Sequence, residues 1–282
     1  SETAGSVRTA ANEGSNDASG SGFEAIELSA GTGEGTRLNV EGMLATSADG
    51  TLTLGLGELN LNDADETAAA GDWAALVANG DRISAGTTRI GTASDPLDGD
   101  VGSLAALTGN GRILGDLVIG SDGLLRPGNS IGTIAIADNF RLNGRMEVEY
   151  RVPDLADFVR SGGAFVGRNV YDGTATGVSD QDADLIIAGG TATIGPNAAF
   201  VVSEYTPGSS SSLSAAFADP ANTGREVRYT IVVAEGGIPQ AFTTVGNLDG
   251  DDGTSERVER IGNRLELVFS DCLLYTSPSP RD

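Results

Sequence analysis

Residues 107–136, LTGNGRILGDLVIGSDGLLRPGNSIGTIAI, alternate short apolar runs with glycine-bearing turns at almost even spacing. Runs this short, bounded by Gly, Pro, Asn and Asp, read as strands rather than helices. They begin at Leu117, Leu124, Ile134 and Leu142, and a similar beat returns at Leu52 and Leu59, then at Leu185, Ala192 and Phe200. Three such strands make a coil of about 22 residues, within the range of stacked structural repeats, so the stretch predicts one unit of a β-solenoid.

The turn inside this stretch explains its own letters. Pro127 presets φ for the second residue of a β-turn, and Gly128 can take the positive φ that a type II turn demands next. Asn129 and Ser130 can hydrogen-bond nearby backbone through their side chains, and Gly132 lets the chain bend again before the next strand. Pro127, Gly128, Asn129, Ser130 and Gly132 are therefore read as a structural corner rather than as a reactive site. The inward ladder expected from the alternation comprises Leu117, Ile119, Ile134, Ile136, Leu142, Met146, Val148, Leu185, Ile187, Ile194, Val202, Ile231, Val233, Leu265 and Leu267.

Residues 107–152, including RPGNSIGTIAIADNFRLNGRMEVEYRV, and the later DADLIIAGGTATIG resemble the passenger-associated repeat of bacterial autotransporters, the type V secreted proteins. Residues 226–269 resemble the end of a passenger just before its membrane barrel, with strands at 229–233, 242–245 and 263–269. The resemblance implies an all-β, right-handed parallel β-helix. It also implies display on the surface of a Gram-negative bacterium, tethered to the outer membrane through the parent chain's own C-terminal barrel. The implied role is that of a structural stalk and adhesin-like module that meets host or neighbour-cell ligands. Between Tyr150 and Asp182 the chain departs from the family's quick return to the next strand.

Outward from that core, the organisation is as follows. Residues 1–20 lack an apolar period and are expected to be a disordered tail. Residues 21–270 form the β-helical passenger fragment, with loop excursions near 153–182 and 206–224 and a short helical turn at 213–217. The stretch 65–79, with Trp73, Leu76 and Val77 on one side, is helix-like, although Gly71 weakens it. Residues 271–282, containing LLYTSPSPRD, resemble a translated adapter or vector scar and are expected to be a non-native tail, so that the lone Cys272 falls outside the native part. With no charged and apolar leader at the start, the chain reads as an interior fragment.

Composition narrows the chemistry. Glycine contributes 41 of 282 residues and aromatics only 5%, which suits a narrow core with many tight corners. The formal charge is −23, with every basic residue an arginine. Such a surface repels phosphate backbones and anionic lipid, so nucleic acid is not an expected partner. No run approaches the ~20 apolar residues that a spanning helix needs.

The chain has neither His nor Lys, which removes Ser-His-Asp, Cys-His and Ser-Lys nucleophiles and Schiff-base chemistry. No catalytic residue and no cofactor is assigned, and the chain is read as a non-enzyme. The rival reading is a carbohydrate-active β-helix, a lyase or hydrolase using paired carboxylates such as those of Gly250-Asp251-Asp252-Gly253. In the same segment Asn247, Asp249 and Asp251 place oxygen ligands at alternate positions. Asp249 and Asp251 are thus the candidate metal ligands, but Asp252 stands where a calcium loop needs its glycine.

Overall fold

The computed structural model of the chain describes residues 6–10, 25–29, 37–40, 43–62, 82–91, 105–128, 130–152, 159–161, 164–166, 181–205, 213, 217, 226–240, 243–246 and 254–271. Their regular structure is all-β and mostly parallel. The strands stack in three columns that the chain visits in a fixed order, a pattern consistent with a β-solenoid.

The first column stacks β2 (Ala25–Ser29), the start of β5 (Thr51–Asn62), the end of β6 (Arg82–Ile90), the end of β7 (Ala105–Ile119), β10 (Phe140–Leu142) and β15 (Ala192–Ile194), all parallel. The second stacks β3 (Arg37–Val40), the end of β5, the start of β7, β8 (Gly123–Pro127), β11 (Arg145–Tyr150) and β16 (Ala199–Glu204). The third stacks β4 (Met43–Ala45), the start of β6, the middle of β7, β9 (Thr133–Ile136), β14 (Leu185–Ala188) and the end of β17 (Glu226–Ala234). Each turn of chain therefore contributes one rung to every column.

The coil length is not constant. The corner residues Asp116 and Asn139, in successive coils, lie 23 positions apart. The next pair, Asn139 and Thr191, lie 52 apart. The stacking register is kept while the connection lengthens, because an excursion leaves the ladder between β11 and β14. Two strands of that excursion are described: β12 (Val159–Ser161) and β13 (Ala164–Val166) form a hairpin, and β13 lies parallel to β17. The expected loop near 153–182 thus contains ordered strand pairing, and Gln181 and Asp182 at its return are buried.

The interior is a single apolar cluster. Leu52, Leu117 and Phe140 stack along the first column, Leu59, Leu107, Leu125 and Met146 along the second, and Ile83, Ile113 and Ile136 along the third. Each is almost completely buried, and burial of a side chain this size stabilises by about 1.5–3 kcal/mol. All fifteen residues of the expected ladder are buried.

Two strands need a correction of register. In β14 the partners of Ile134 and Ile136 are Ile186 and Ala188, and their partners in β17 are Val232 and Ala234. Leu185, Ile187 and Val233 therefore point to the other side of the sheet, where they are also buried. The run Leu-Ile-Ile-Ala is apolar at every position, as in strands covered on both faces, so it carries no alternation to fix its side.

The C-terminal part switches to antiparallel pairing. Strand β17 pairs with β20 (Arg264–Asp271), which pairs with β19 (Thr254–Ile261), which pairs with β18 (Thr243–Gly246). Ile261 faces Arg264 across a two-residue turn in which Gly262 has φ 64°, the positive value that a type II′ hairpin requires at its first central residue. Tyr150, Tyr229 and Phe269 join this sheet to the coils, with Tyr150 and Phe269 ring centroids 4.7 Å apart.

At the opposite end β1 (Ser6–Ala10) pairs antiparallel with β2. This strand lies inside the segment expected to be disordered, and its composition gave no periodic signal. Leu213 and Phe217 are in helical conformation and belong to the core cluster. The helix-like stretch 65–79 and residues 272–282 lie outside the described residues, while Asp271 is the last residue of β20.

Candidate functional site

The corner that ends β8 is the point from which the site is built. Gly128 has φ 80°, the value a type II turn requires after proline, and a Cβ there would run into the carbonyl oxygen of Ser130. Gly109 and Gly128 exchange backbone hydrogen bonds of 3.2 and 2.7 Å, which tie this corner to the coil before it. Pro127 is buried at the end of the strand. Asn129 lies outside the described residues.

Gly132 completes the corner by letting side chains from two other coils approach its backbone. Asn110 Oδ1 accepts the Thr133 N–H at 2.8 Å, and Asp184 Oδ1 accepts the Gly132 N–H at 2.8 Å. The other carboxylate oxygen of Asp184 accepts the Glu149 N–H at 2.8 Å. One buried carboxylate therefore fastens the corner to β11 in the following coil. Gln181 adds to this by donating to the carbonyls of Gly132 and Ala183 at 3.0 and 2.7 Å.

These contacts also clamp the base of the long excursion. Arg151, just before it, donates its backbone N–H to Asp182 O at 2.9 Å and pairs with the Asp182 carboxylate at 3.2 Å. Tyr229 donates its hydroxyl to Arg151 O at 3.1 Å, linking the clamp to the C-terminal sheet. Burial pushes the Asp184 carboxyl well above the usual carboxylate range, despite the opposing effect of the Glu149 and Gly132 N–H donors.

Beside this junction, the outward side of the second column forms a shallow groove of about 280 Å³. It is lined by Arg37, Glu58, Thr108, Arg126, Glu147 and Glu149, together with Gly128 of the corner. Arg37 pairs with Glu58 at 2.6 Å, Thr108 donates to Glu58 Oε1 at 2.6 Å, and Arg126 Nε donates to Glu147 at 2.6 Å. Burial would raise the Glu58 carboxyl, but the bonds from Arg37 and Thr108 outweigh it and hold it below the usual glutamate range.

The structure thus places Pro127, Gly128, Ser130 and Gly132 at one corner and adds Asn110, Gln181 and Asp184, which sequence reasoning missed. Their sequence separations, 23 to 52 positions, place them in different coils. The available signal was the pair of acidic residues in Asp-Ala-Asp immediately before an apolar strand. Asp249 and Asp251 lie outside the described residues. Among the described residues, no group of three or more Cys, Asp or Glu side chains is placed to hold a metal ion. No helix among them is long and apolar enough to cross a membrane.

Comparison of the chain with protein-family models and with curated proteins yields no match.

Proposed function

We propose that the chain is part of a surface-displayed autotransporter passenger, a right-handed parallel β-helix that serves as a stalk and adhesin-like interaction module and not as a catalyst. The observation that carries this reading is the three-column stack closed by an antiparallel C-terminal sheet, with the corner of Pro127, Gly128, Ser130 and Gly132 at one of its bends. Its handedness follows from the general preference of parallel crossovers, about 98% of which are right-handed. The glycine corners and aliphatic interior suit a narrow coil, and the clamped excursion offers a segment for contact on a rigid support.

In this reading the parent chain's barrel holds the passenger at the outer membrane, and its ligands belong to host or neighbouring cells. Fusing the chain to an outer-membrane autotransporter barrel in a Gram-negative host tests it. The fusion is expected to reach the cell surface, become accessible to added protease and promote cell adhesion. Retention of a folded passenger in the periplasm, or display without any gain in adhesion, would overturn the reading.

A further inference from the structure

The groove on the second column runs across the strands, along the direction in which the coils stack. Its lining comes from five successive rungs: Arg37 on β3, Glu58 on β5, Thr108 on β7, Arg126 on β8 and Glu147 on β11. With neighbouring strands about 4.8 Å apart the five rungs span about 19 Å, with Arg37 opposite Glu58 and, two residues further along the strands, Thr108 opposite Arg126.

We propose that this groove binds a neutral polysaccharide chain lying along the stacking direction. The proposal rests on the reading of the chain as a displayed interaction module and names the ligand class that the module takes. Three features select that class. First, the spacing of the rungs is of the same order as the advance of one hexopyranose along an extended chain. A peptide strand advances about 3.3 Å per residue and falls out of step with the rungs.

Second, four of the five charges that line the groove are paired with one another, Glu149 being the fifth. Arg37 with Glu58 and Arg126 with Glu147 hold one another in place, so the array is fixed before a ligand arrives. A guanidinium carries five N–H donors, more than one carboxylate can take, and each carboxylate has further lone pairs. Such pairs can meet the vicinal hydroxyls of a sugar, which donate and accept together. Third, the formal charge of −23 repels uronic acids, sulfated glycans and nucleic acids, leaving a neutral polymer as the matching partner.

The test is calorimetric titration of the full chain with β-1,4-linked glucose and mannose oligomers of two to six residues, alongside uronic-acid oligomers of the same lengths. Affinity for at least one neutral series is expected to rise with length and level off near four or five residues, with the acidic series at least tenfold weaker. Arg126→Gln is expected to weaken binding at least tenfold in a chain that stays folded. Arg37→Gln, at the end of the row and 46% exposed, should weaken only the longer oligomers and so shorten the optimum.

Absence of length-dependent binding in both neutral series, equal binding of the acidic series, or unchanged affinity in a folded Arg126→Gln chain would each overturn the inference. If the displayed chain still promotes adhesion while neither neutral series binds, the passenger reading stands and this inference alone falls.

Discussion

In β9 and β14 every residue is buried, whereas in β19 buried and partly accessible residues alternate from Glu256 to Glu259. The difference follows from where each strand finds its partners. A parallel rung pairs with the coils before and after it, and here β9, β14 and the end of β17 in the third column are covered on both faces. An antiparallel strand pairs with its sequence neighbour and leaves one face to polar groups. On that face Arg228 bonds Glu226, Glu259 and Glu266, and Arg257 bonds Glu226 and Glu259. The coils are thus fixed by apolar columns, close corners and the buried Asp184, and the C-terminal sheet by a partly accessible ion-pair network over an aromatic seam.

Glycine substitution separates the two regions most strongly. Gly128→Ala at the coil corner should cost about 3 kcal/mol, because the positive φ and the clash with Ser130 O both act against it. Gly262→Ala at the hairpin should cost only about 1 kcal/mol, since its φ is positive but nothing lies within 4 Å of the added methyl. Urea denaturation of the two variants checks this, and equal losses would break the contrast between a crowded corner and an open turn.

Asp184→Asn should cost about 2 kcal/mol at acidic pH, because the amide nitrogen faces a backbone N–H where an oxygen of the carboxyl group accepted one. The sign of its pH dependence is set by the raised folded pKa. Its contribution to stability is complete below the unfolded value and is lost as pH rises through the folded value. Denaturation curves of the wild-type chain and the variant across the acid-to-neutral range should differ by this slope, which the variant lacks.

The ion-pair network responds in the opposite direction, with a smaller effect. Burial would raise Glu226 and Glu259, but bonds from Arg257 and Arg228 outweigh it and hold both carboxyls below the usual glutamate range. Their stabilisation is present above the unfolded value of 4.5 and is lost as pH falls through the folded values. Arg228→Gln should cost about 1 kcal/mol at neutral pH and flatten the acid limb of the stability curve. An acid limb of unchanged steepness would show that the network does not hold the C-terminal sheet.

The same contrast explains what the sequence disclosed. From Phe140 to Val148 apolar and polar residues alternate on either side of an Asn-Gly corner, so strands and buried side were legible there. At Leu185–Ala188 the uniform apolar run concealed the side, and the register is visible only where Asp184 meets Gly132 and Glu149. Strand β1 was missed because its residues have no period of their own and gain order from pairing with β2. The corner at Pro127 and Gly128 was readable because turn chemistry is local. The clamp and the groove were not, because each joins residues from separate coils at separations that the excursions make irregular.

The central claim is the register that stacks successive coils, and engineered disulfides test it most directly. Val118, Arg141 and Thr193 are partners on consecutive rungs of the first column. Neighbouring Cα atoms at about 4.8 Å fall within the reach of a disulfide, whereas rungs two apart, at about 9.6 Å, do not. In a chain carrying Cys272→Ser, the pairs Val118→Cys with Arg141→Cys and Arg141→Cys with Thr193→Cys should each close within one molecule under mild oxidation. Val118→Cys with Thr193→Cys should remain reduced. Efficient closure of the 118–193 pair, or failure of both neighbouring pairs in folded protein, would contradict the stacking on which the account rests.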